Sequence, residues 1–390
     1  MTGPWALFDQ SYDQLQDVLA SWGEPAFRAR QLWTRLYQGL AVSFDEMSEL
    51  PKSLRQRLAR EAVLNRLKAL ADQRSSDGQT RKILFALPDG AQIESVWMSY
   101  ERRRTVCIST QAGCAMGCLF CATGQGGLQR NLTSGEIVEQ ALFFARPLRL
   151  ETRAHTPEPP LSASGSKSAA NALTNIVLMG MGEPFANYDQ VMAAVRRLND
   201  PSGFNFGARR MTISTVGLVP GIKKLAQEDI QVNLAVSLHS ATDELRDRLV
   251  PANKRYPLKA LLPAVHEYIE RTHRRVSFEW ALIEGTNDTP EQASALVQLV
   301  KGMLCHVNLI PLNPTSGYGG AASTRQRIAA FRSVLELAGI PHTLRLRRGI
   351  DIQAGCGQLR QRSMNSRLPA EPATRPSHRA RRPSTGQLID

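Results

Sequence analysis

The sequence predicts an α/β fold in which a parallel sheet closes or partly closes into a (β/α) barrel. From about residue 104, apolar runs rich in β-branched residues alternate with stretches typical of helices, which is the pattern of βαβ units. Each run also ends in a polar or Gly-rich cluster, as expected where functional residues collect at the carboxyl ends of barrel strands. A small helical region and a β-hairpin are predicted to precede the barrel.

Composition shifts divide the chain into segments. These are a helical accessory domain (1–75), a β-hairpin adaptor (76–103), the partial barrel (104–348), a loop that carries Cys356 (349–359) and a basic, Pro-rich tail expected to be disordered (360–390). Within the barrel, the stretch 147–174 has no hydrophobic period and is expected to be a flexible insertion. The predicted strands that follow the cysteine-rich segment are NIVLMG (175–180), RMTIST (210–215), QVNLAVSLH (231–239), RVSFEWALI (275–283), HVNLIPL (306–312) and HTLRLR (342–347).

The N-terminal region carries two helix signals. Ser11 can cap a first helix, and a second helix with an apolar stripe ends at Gly39. Arg28, Arg30 and Arg35 lie beside that stripe. Their arrangement fits a small RNA-binding module and the solvated face of a packing domain equally well.

Two further elements flank the cysteine-rich segment. The runs RKILFALP and AQIESVWMSY, joined by a turn at 88–90, predict a β-hairpin. Glu94 lies in the second strand, where a glutamate usually faces solvent. Beyond the cysteines, Thr133 and Glu136 form the T-x-x-E pattern of a capping box and predict the start of a helix.

Composition indicates a globular protein with a polyanionic partner. The 390 residues are 42% hydrophobic and 21% charged, with a formal net charge of +13. Because Lys and Arg neutralise phosphates, we expect a nucleic acid partner, although composition does not specify which one. The first residues, MTGPWALFDQ, lack the features of a signal peptide and no apolar run is long enough to cross a bilayer, so we expect a cytoplasmic location.

The most informative segment is Thr105–Cys121, TVCISTQAGCAMGCLFC. It places Cys114, Cys118 and Cys121 in a C-x3-C-x2-C spacing, so three thiolates can converge on one small object. A cubane iron–sulfur cluster normally takes four thiolates, and three would leave one iron open to a substrate or cofactor. A structural zinc site that also uses Cys107 is the alternative, but such sites usually come as separated C-x2-C pairs.

The strand ends form a second candidate site. Their clusters are GMGEP (180–184), Ser214 to Gly217, Ser237 to His239, and Asn313 with Pro314. Each cluster is a weak signal alone, since Gly-rich turns and single Ser or His residues are common after strands. Together, on successive strands, they fit a large cofactor that lies across the mouth of the barrel.

Cys356 is the remaining candidate nucleophile. A lone Cys is usually a buried small hydrophobe, and Cys305, which matches no motif, is expected to be one. Cys356 instead lies between Gly355 and Gly357, in a loop too permissive to be core. A thiol in such a loop can move between partners.

The string CISTQAGCAMGCLFCATGQGGLQRNLTSGEIVEQ resembles the RlmN/Cfr family of RNA adenosine methyltransferases, a branch of the radical S-adenosylmethionine (SAM) superfamily. The resemblance runs from about Glu94 to Leu359, and more weakly over the N-terminal module, for which it favours RNA binding. It implies a radical SAM barrel with one [4Fe-4S] cluster on Cys114, Cys118 and Cys121, whose open iron is chelated by SAM. The residues implied to bind SAM are Gly182, Glu183, Ser214, Ser237, Leu238, His239 and Asn313.

The resemblance also implies a mechanism that uses two SAM molecules per turnover. The first methylates Cys356, and the second is cleaved by an electron from the cluster to give a radical that takes hydrogen from that methyl group. The carbon radical adds to adenine, Glu94 removes the ring proton, and Cys107 releases the product by forming a transient disulfide with Cys356. The family more often has Ala at the position of Gly355 and an acidic residue at that of Gln353, so these two positions depart from its pattern.

The implied substrates are one adenosine in the peptidyl-transferase region of 23S ribosomal RNA and the adenosine beside the anticodon of some tRNAs, both methylated at carbon 2. Cfr-type relatives methylate carbon 8 and confer antibiotic resistance, and the shared motifs distinguish the two types poorly. A noncatalytic RNA-binding protein with a structural metal site is the alternative of a different class. The resemblance further implies an electron donor such as flavodoxin or ferredoxin, and we expect a monomer.

Overall fold

The computed structural model describes most of the chain. The described residues are 4–155, 173–313, 315, 317–345, 349, 351–352, 355 and 357–360, with the backbone alone for 150–155. Cys356, Gln353, residues 156–172 of the predicted insertion and residues 361–390 of the predicted tail lie outside the described residues.

The N-terminal region is built from short helices. They are α1 (Tyr12–Ser21), α2 (Phe27–Tyr37) and α3 (Lys52–Glu61), and they are accompanied by the parallel pair of short strands β1 (Trp5–Ala6) and β2 (Ala62–Val63). The predicted cap of α1 is confirmed. The Ser11 hydroxyl accepts from the backbone N–H of Gln14, and the Gln14 side chain accepts from the backbone N–H of Ser11.

One ten-stranded sheet forms the centre of the molecule. Its antiparallel side consists of β3 (Lys68–Arg74), β4 (Thr80–Ala86), β5 (Gln92–Tyr100) and β6 (Arg103–Cys107). Next to β6 the sheet continues in parallel through β9 (Asn175–Leu178), β10 (Met211–Thr215), β11 (Asn233–Ser237), β12 (Val276–Leu282), β13 (Cys305–Pro311) and β14 (His342–Leu344). Successive parallel strands are neighbours in the sheet, which is the topology of a partial (β/α) barrel.

Helices connect the parallel strands. They are α4 (Ala122–Gln125), α5 (Ser134–His155), α6 (Tyr188–Asn199), α7 (Val219–Leu225), α8 (Asp243–Leu249), α9 (Leu258–Thr272), α10 (Pro290–Val300) and α11 (Arg325–Leu337). The predicted capping box before α5 is confirmed, because Thr133 Oγ1 accepts from the N–H of Glu136 and Glu136 Oε2 accepts from the N–H of Thr133. In the part of the chain that the structure describes, no helix has the length and apolar character needed to cross a bilayer.

The structure differs from the sequence prediction in several elements, among them the short strands β1 and β2 in the N-terminal region that was expected to be helical. Strand β3 lies inside the region 1–75 that was expected to be helical; it is a mostly exposed edge strand and lacks the apolar run that identified the other strands. Helix α5 continues to His155 with Pro147 inside it, so the insertion predicted to begin at 147 starts as helix. The small hairpin of β7 (Gln111–Gly113) and β8 (Leu128–Asn131) was not predicted.

The N-terminal helices and the barrel share one hydrophobic core. Apolar side chains of both regions belong to a single contiguous cluster, and Cys305 is buried within it as expected. Polar contacts cross the same junction: Trp33 Nε1 donates to Asp200 Oδ2 at 2.8 Å, and the Gln38 side chain donates to the carbonyl oxygen of Ser202 at 3.0 Å. The N-terminal region is therefore packed onto the barrel along its core.

Candidate active site

A cavity of about 220 Å³ opens at the carboxyl ends of the parallel strands. Strands β9 to β13, and the residue that follows β14, each contribute to its wall through Leu178, Ser214, Ser237, Glu279, Ile310 and Arg345. Cys114, Cys118 and Cys121 form another part of the wall. The cysteine loop and the strand ends, which the sequence placed in two separate patterns, thus face one space.

Backbone contacts fix the shape of the cysteine loop. The N–H of Cys114 donates to the carbonyl oxygen of Gly127 at 2.9 Å, and the N–H of Leu119 donates to that of Leu249 at 3.0 Å. Gly113 has a φ of +89°, and a Cβ at this position would lie 2.0 Å from the Gly127 oxygen. Only glycine fits there, so the β7–β8 hairpin can close tightly beside the first cysteine.

The three thiols suit an iron–sulfur cluster. Cys114 and Cys118 are each 8% exposed, and burial raises the pKa of the Cys114 thiol to about 12 and also raises that of Cys118. A bound metal offsets this burial because it stabilises the thiolate. Among the described residues, no three His, Cys, Asp or Glu side chains are arranged to hold one metal ion, whereas the thiolates of a cubane bind different iron atoms.

The predicted SAM-binding residues divide into two groups. Those that line the cavity are Gly182, Glu183, Ser214, Ser237 and His239. The other two, Leu238 and Asn313, are not part of the cavity wall: Leu238 is fully buried in the core, and Asn313 is exposed.

Glu183 ties two of the strand-end loops together. Its Oε1 accepts from the N–H of Phe185 at 3.0 Å and its Oε2 accepts from the N–H of Val216 at 2.8 Å. Burial raises the pKa of Glu183 to about 7. The preceding Gly182 has a φ of +106°, and a Cβ there would lie 2.7 Å from the backbone nitrogen of Gln111, so this close approach requires glycine.

His239 is held as a neutral imidazole in the cavity wall. The N–H of Ala281 donates to His239 Nδ1 at 2.9 Å, so the ring proton of the neutral form is on Nε2. Burial, together with the charge of Arg246, lowers the pKa of His239 to about 3. Its backbone has a φ of +58°, and the Asn287 side chain donates to its carbonyl oxygen at 2.8 Å. The wall therefore presents a fixed hydrogen-bond donor.

A second polar region lies on the antiparallel strands. Lys82 pairs directly with Val96, and Val96 pairs directly with Cys107, so these three side chains share one face of the sheet. Glu94 is two residues from Val96 and lies on the same face. We call the surface formed by Lys82, Glu94, Val96 and Cys107 the Cys107 face. Burial raises the pKa of Cys107 to about 11.

Glu94 is buried, contrary to the usual behaviour of a glutamate in a strand. It is 2% exposed and lies 2.8 Å from the Lys82 ammonium. Its Oε2 accepts from the N–H of Gly357 at 2.8 Å and its Oε1 accepts from the N–H of Arg360 at 2.6 Å. Lys82 donates to the carbonyl oxygen of Gly355 at 2.8 Å. The Cys107 face therefore binds the backbone on both sides of position 356.

Sequence reasoning missed three residues of these sites. Lys82 is in phase with Leu84 along β4, and this alternation is the signal that could have placed it on a buried face. Glu279 is a charged residue inside an apolar strand; burial raises its pKa, and the Asn308 side chain donates to it at 2.7 Å. Arg345 lines the cavity and also contacts the sulfur of Met98 at 3.5 Å, which joins the cavity to the antiparallel strands.

The arginines of α2 differ in their contacts. Arg28 pairs with Glu24 at 3.9 Å, and Arg35 pairs with Glu49. Arg30 is exposed and has no ion pair among the described residues. Among the described residues, only one of these three arginines is therefore an unpaired cation.

Comparison with known proteins agrees with this geometry. Residues 5–64 match the ribosomal RNA large subunit methyltransferase N-terminal domain, and residues 108–297 match the radical SAM superfamily. A solved radical SAM methyltransferase from Sphaerobacter thermophilus superposes with a TM-score of 0.84 at 48% identity, over 91% of this chain and 99% of that one. The fold and the cysteine loop thus define a radical SAM methyltransferase, and the predicted fold class is confirmed.

Two relatives of similar length identify the family within this class. The probable dual-specificity RNA methyltransferase RlmN of Chloroflexus aurantiacus is 51% identical over 90% of this chain and 92% of its own length, and the dual-specificity RNA methyltransferase RlmN 1 of Myxococcus xanthus is 50% identical over 91% and 94%. The chain belongs to the RlmN family of radical SAM RNA methyltransferases. The resemblance inferred from the cysteine segment is confirmed.

Proposed function

We propose that the chain methylates carbon 2 of an adenosine in 23S ribosomal RNA and of the adenosine beside the anticodon in a subset of tRNAs, with Cys356 as the methyl carrier and Cys107 as the second thiol. The relatives named above are dual-specificity RNA methyltransferases. One observation carries the assignment of the thiols. Glu94 and Lys82 hold the backbone on both sides of Cys356 against the sheet face that carries Cys107.

Cys114, Cys118 and Cys121 would hold one [4Fe-4S] cluster with an open iron. When bound, the cluster supplies the electron that cleaves SAM reductively. An adenine C–H bond at an sp2 carbon is neither acidic nor nucleophilic, so methylation there needs a radical route. We propose two SAM molecules per turnover, one to charge Cys356 and one to start the radical chemistry. Glu183 and His239 supply fixed polar groups at the wall of the cavity that would receive SAM.

Cys107 and Glu94 have distinct tasks in this proposal. The Cys107 thiol is protonated at rest because burial raises its pKa, and the positive charges of Arg345 and Lys82 favour the thiolate that must attack Cys356. That attack forms a transient Cys107–Cys356 disulfide and breaks the bond between the Cys356 sulfur and the carbon joined to the adenine. The electron pair of the broken bond goes to that carbon, which takes a proton to complete the methyl group and free the product. Glu94 is an acceptor whose two oxygens already receive backbone N–H groups, and it would take the ring proton of the adenine.

The basic chain fits a polyanionic substrate. A net charge of +13 supplies sequence-independent attraction to RNA phosphates. We propose that Arg30 and neighbouring basic residues of the N-terminal module contribute to this attraction. A small flavodoxin or ferredoxin is the proposed electron donor, and we expect the enzyme to act as a cytoplasmic monomer.

The test is nucleoside mass spectrometry of RNA treated with the reconstituted protein, SAM and a reductant. We expect 2-methyladenosine in 23S rRNA and in a subset of tRNAs, and its absence from RNA of a strain that lacks the gene. Formation of 8-methyladenosine would replace the proposal with the Cfr-type activity. Anaerobic purification separates the noncatalytic alternative, because a cluster gives a brown protein with about four irons per chain, whereas zinc gives a colourless one.

A further inference from the structure

Lys82 has a fully buried side chain, and it does not itself react in the proposed chemistry. A lysine this deeply buried is rare unless its charge is paired. Its ammonium contacts Glu94 Oε2 and the carbonyl oxygen of Gly355, each at 2.8 Å. Lys82 therefore touches both the proposed base and the loop that carries the proposed methyl carrier.

Glu94 binds the same loop on its other side. Its two oxygens accept from the N–H groups of Gly357 and Arg360. Hydrogen bonds to an ionised carboxylate are about twice as strong as those between neutral groups. The pair thus presents a cation to the carbonyl that precedes position 356 and an anion to the N–H groups that follow it, so its polarity matches the backbone on each side.

The strand register fixes where this pair lies. Leu84 is the direct partner of Glu94, and Val96 is that of Lys82, so Lys82 and Glu94 are diagonal neighbours on one face of the hairpin. Val96 is also the direct partner of Cys107 on β6. A loop bound by the pair is therefore anchored to the face that carries the second thiol.

We propose that Lys82 and Glu94 form a clasp that sets the position of the Cys356 loop, and that Lys82 is a positioning residue for methyl transfer. The catalytic meaning of the clasp rests on the proposed function. The clasp itself is a property of the folded chain and can be measured without RNA or SAM.

The clasp also links the loop to proton transfer. When Glu94 takes the ring proton, the electron pair of the broken C–H bond stays on the ring and the carboxylate becomes neutral. Its hydrogen bonds to Gly357 and Arg360 then weaken to those of a neutral acceptor. We therefore expect the loop to loosen once the proton has been removed, and Glu94→Gln to mimic that state.

Hydrogen–deuterium exchange of the peptide that contains Gly357 to Arg360 tests the clasp in the full, anaerobically reconstituted protein. Lys82→Met keeps an unbranched side chain and removes the charge. We expect Lys82→Met and Glu94→Gln to speed exchange of this peptide about tenfold or more, the factor implied by loss of one hydrogen bond to a charged group. Iron content and exchange elsewhere should match the wild type.

Arg81→Met is the matched control. Arg81 is the neighbour of Lys82 on β4, points to the opposite face and pairs with Asp72 at 2.7 Å. The same loss of one positive charge there should leave exchange of the loop peptide unchanged. Equal acceleration in Arg81→Met and Lys82→Met would overturn the proposal, because it would show a general response to charge.

A double variant keeps the test decisive if Lys82→Met alone fails to fold. Lys82→Met combined with Glu94→Gln removes both charges of the pair together, so we expect it to fold and to retain iron while its loop exchanges fast. Wild-type exchange rates in either folded variant would refute the clasp. A different result would refute the proposed function alone. If the wild-type protein methylates no RNA although the clasp protects its loop from exchange, the function is refuted and the clasp is not.

Discussion

Cys114 and Cys118 lie in the wall of an open cavity, whereas Cys107 lies on antiparallel strands beside a buried lysine and glutamate. In the cavity, burial raises the thiol pKa values, so the thiolates need a partner from outside the chain. On the Cys107 face, the charges of Lys82 and Glu94 satisfy each other and the backbone of the loop at 355–360.

We therefore expect the cavity to bind a cofactor and the Cys107 face to position the loop at 355–360. A region that supplies ligands to a cofactor loses its function when any single ligand is removed. A region whose groups satisfy one another holds geometry, and its loss should change the fate of an intermediate more than the content of cofactor. Substitutions in the two regions should therefore give different kinds of defect.

The largest effect is expected in the cavity. Cys114→Ala, Cys118→Ala and Cys121→Ala should each reduce iron from about four per chain to near zero and abolish SAM cleavage, because three ligands leave no spare. Iron analysis and detection of 5′-deoxyadenosine measure the two losses. Cys305→Ala, at a cysteine buried in the core away from both regions, is the control and should retain iron. A full iron content in any of the three variants would show that its cysteine is not a ligand.

The Cys107 face should give a defect of the second kind. Cys107→Ala should keep the cluster, accept a methyl group at Cys356, attack the base and then stall, since no thiol remains to release the product. The protein should leave the cell covalently joined to RNA, and mass spectrometry of the nuclease-treated Cys356 peptide should show the attached nucleotide. Cys356→Ala should keep the cluster without forming this adduct.

Two results would contradict this scheme. A Cys107→Ala protein that is free of RNA and fully active would remove the role of the second thiol. Wild-type protein whose Cys356 is unmodified and dispensable would remove the methyl-cysteine mechanism. Either result would erase the functional contrast between the two regions.

A smaller effect should come from the buried imidazole of the cavity. Folding lowers the pKa of His239 from 6.5 to about 3. Between these values the unfolded chain binds a proton that the folded chain does not, so His239 makes stability fall as pH falls, by up to about 1.4 kcal/mol per pH unit. His239→Gln should flatten this part of the pH dependence of denaturant unfolding of the iron-free chain. His266→Gln, at an exposed histidine, is the control, and an identical slope in both variants would contradict a buried neutral His239.

Local patterns in the sequence predict much of the cavity. Apolar runs rich in β-branched residues locate the barrel strands to within a few residues, and the position of the cysteines after such a run places their loop at the same end of the sheet. Ser237 and His239 reach the cavity because they follow such a run. Asn313 also follows one, yet it lies outside the cavity wall, because strand position alone does not fix where a residue beyond the strand will point.

The Cys107 face could not be predicted in the same way. Glu94 and Gly357 are 263 positions apart, and no local period links a charged residue in a hairpin to a distant loop. Lys82 and Glu94 both belong to residue types that are almost always exposed, so propensity places them in solvent. The register of β4, β5 and β6 explains their burial, because it places both side chains on the face that carries Cys107.

The smallest effect is expected from a substitution on the N-terminal helices. Such a substitution should change RNA affinity without affecting the cysteine cavity or the Cys107 face. Arg28 and Arg35 are paired with Glu24 and Glu49, so only Arg30 presents an unpaired charge among the described arginines of α2. Arg30→Ala should weaken RNA binding a few-fold. If Arg30 contacts one phosphate, the slope of log K against log salt should fall by about 0.7 to 0.9.

A point substitution is the appropriate test because the N-terminal helices share the core of the barrel, and their deletion would uncover apolar barrel residues of that core. Arg196→Ala is the matched control, since Arg196 is an exposed barrel residue already paired with Glu228 and Asp229. Filter binding over a range of salt concentrations measures both slopes, while iron content should be unchanged. Equal slopes for Arg30→Ala and wild type would assign α2 a packing role, and the RNA affinity would then have to come from basic residues elsewhere in the chain.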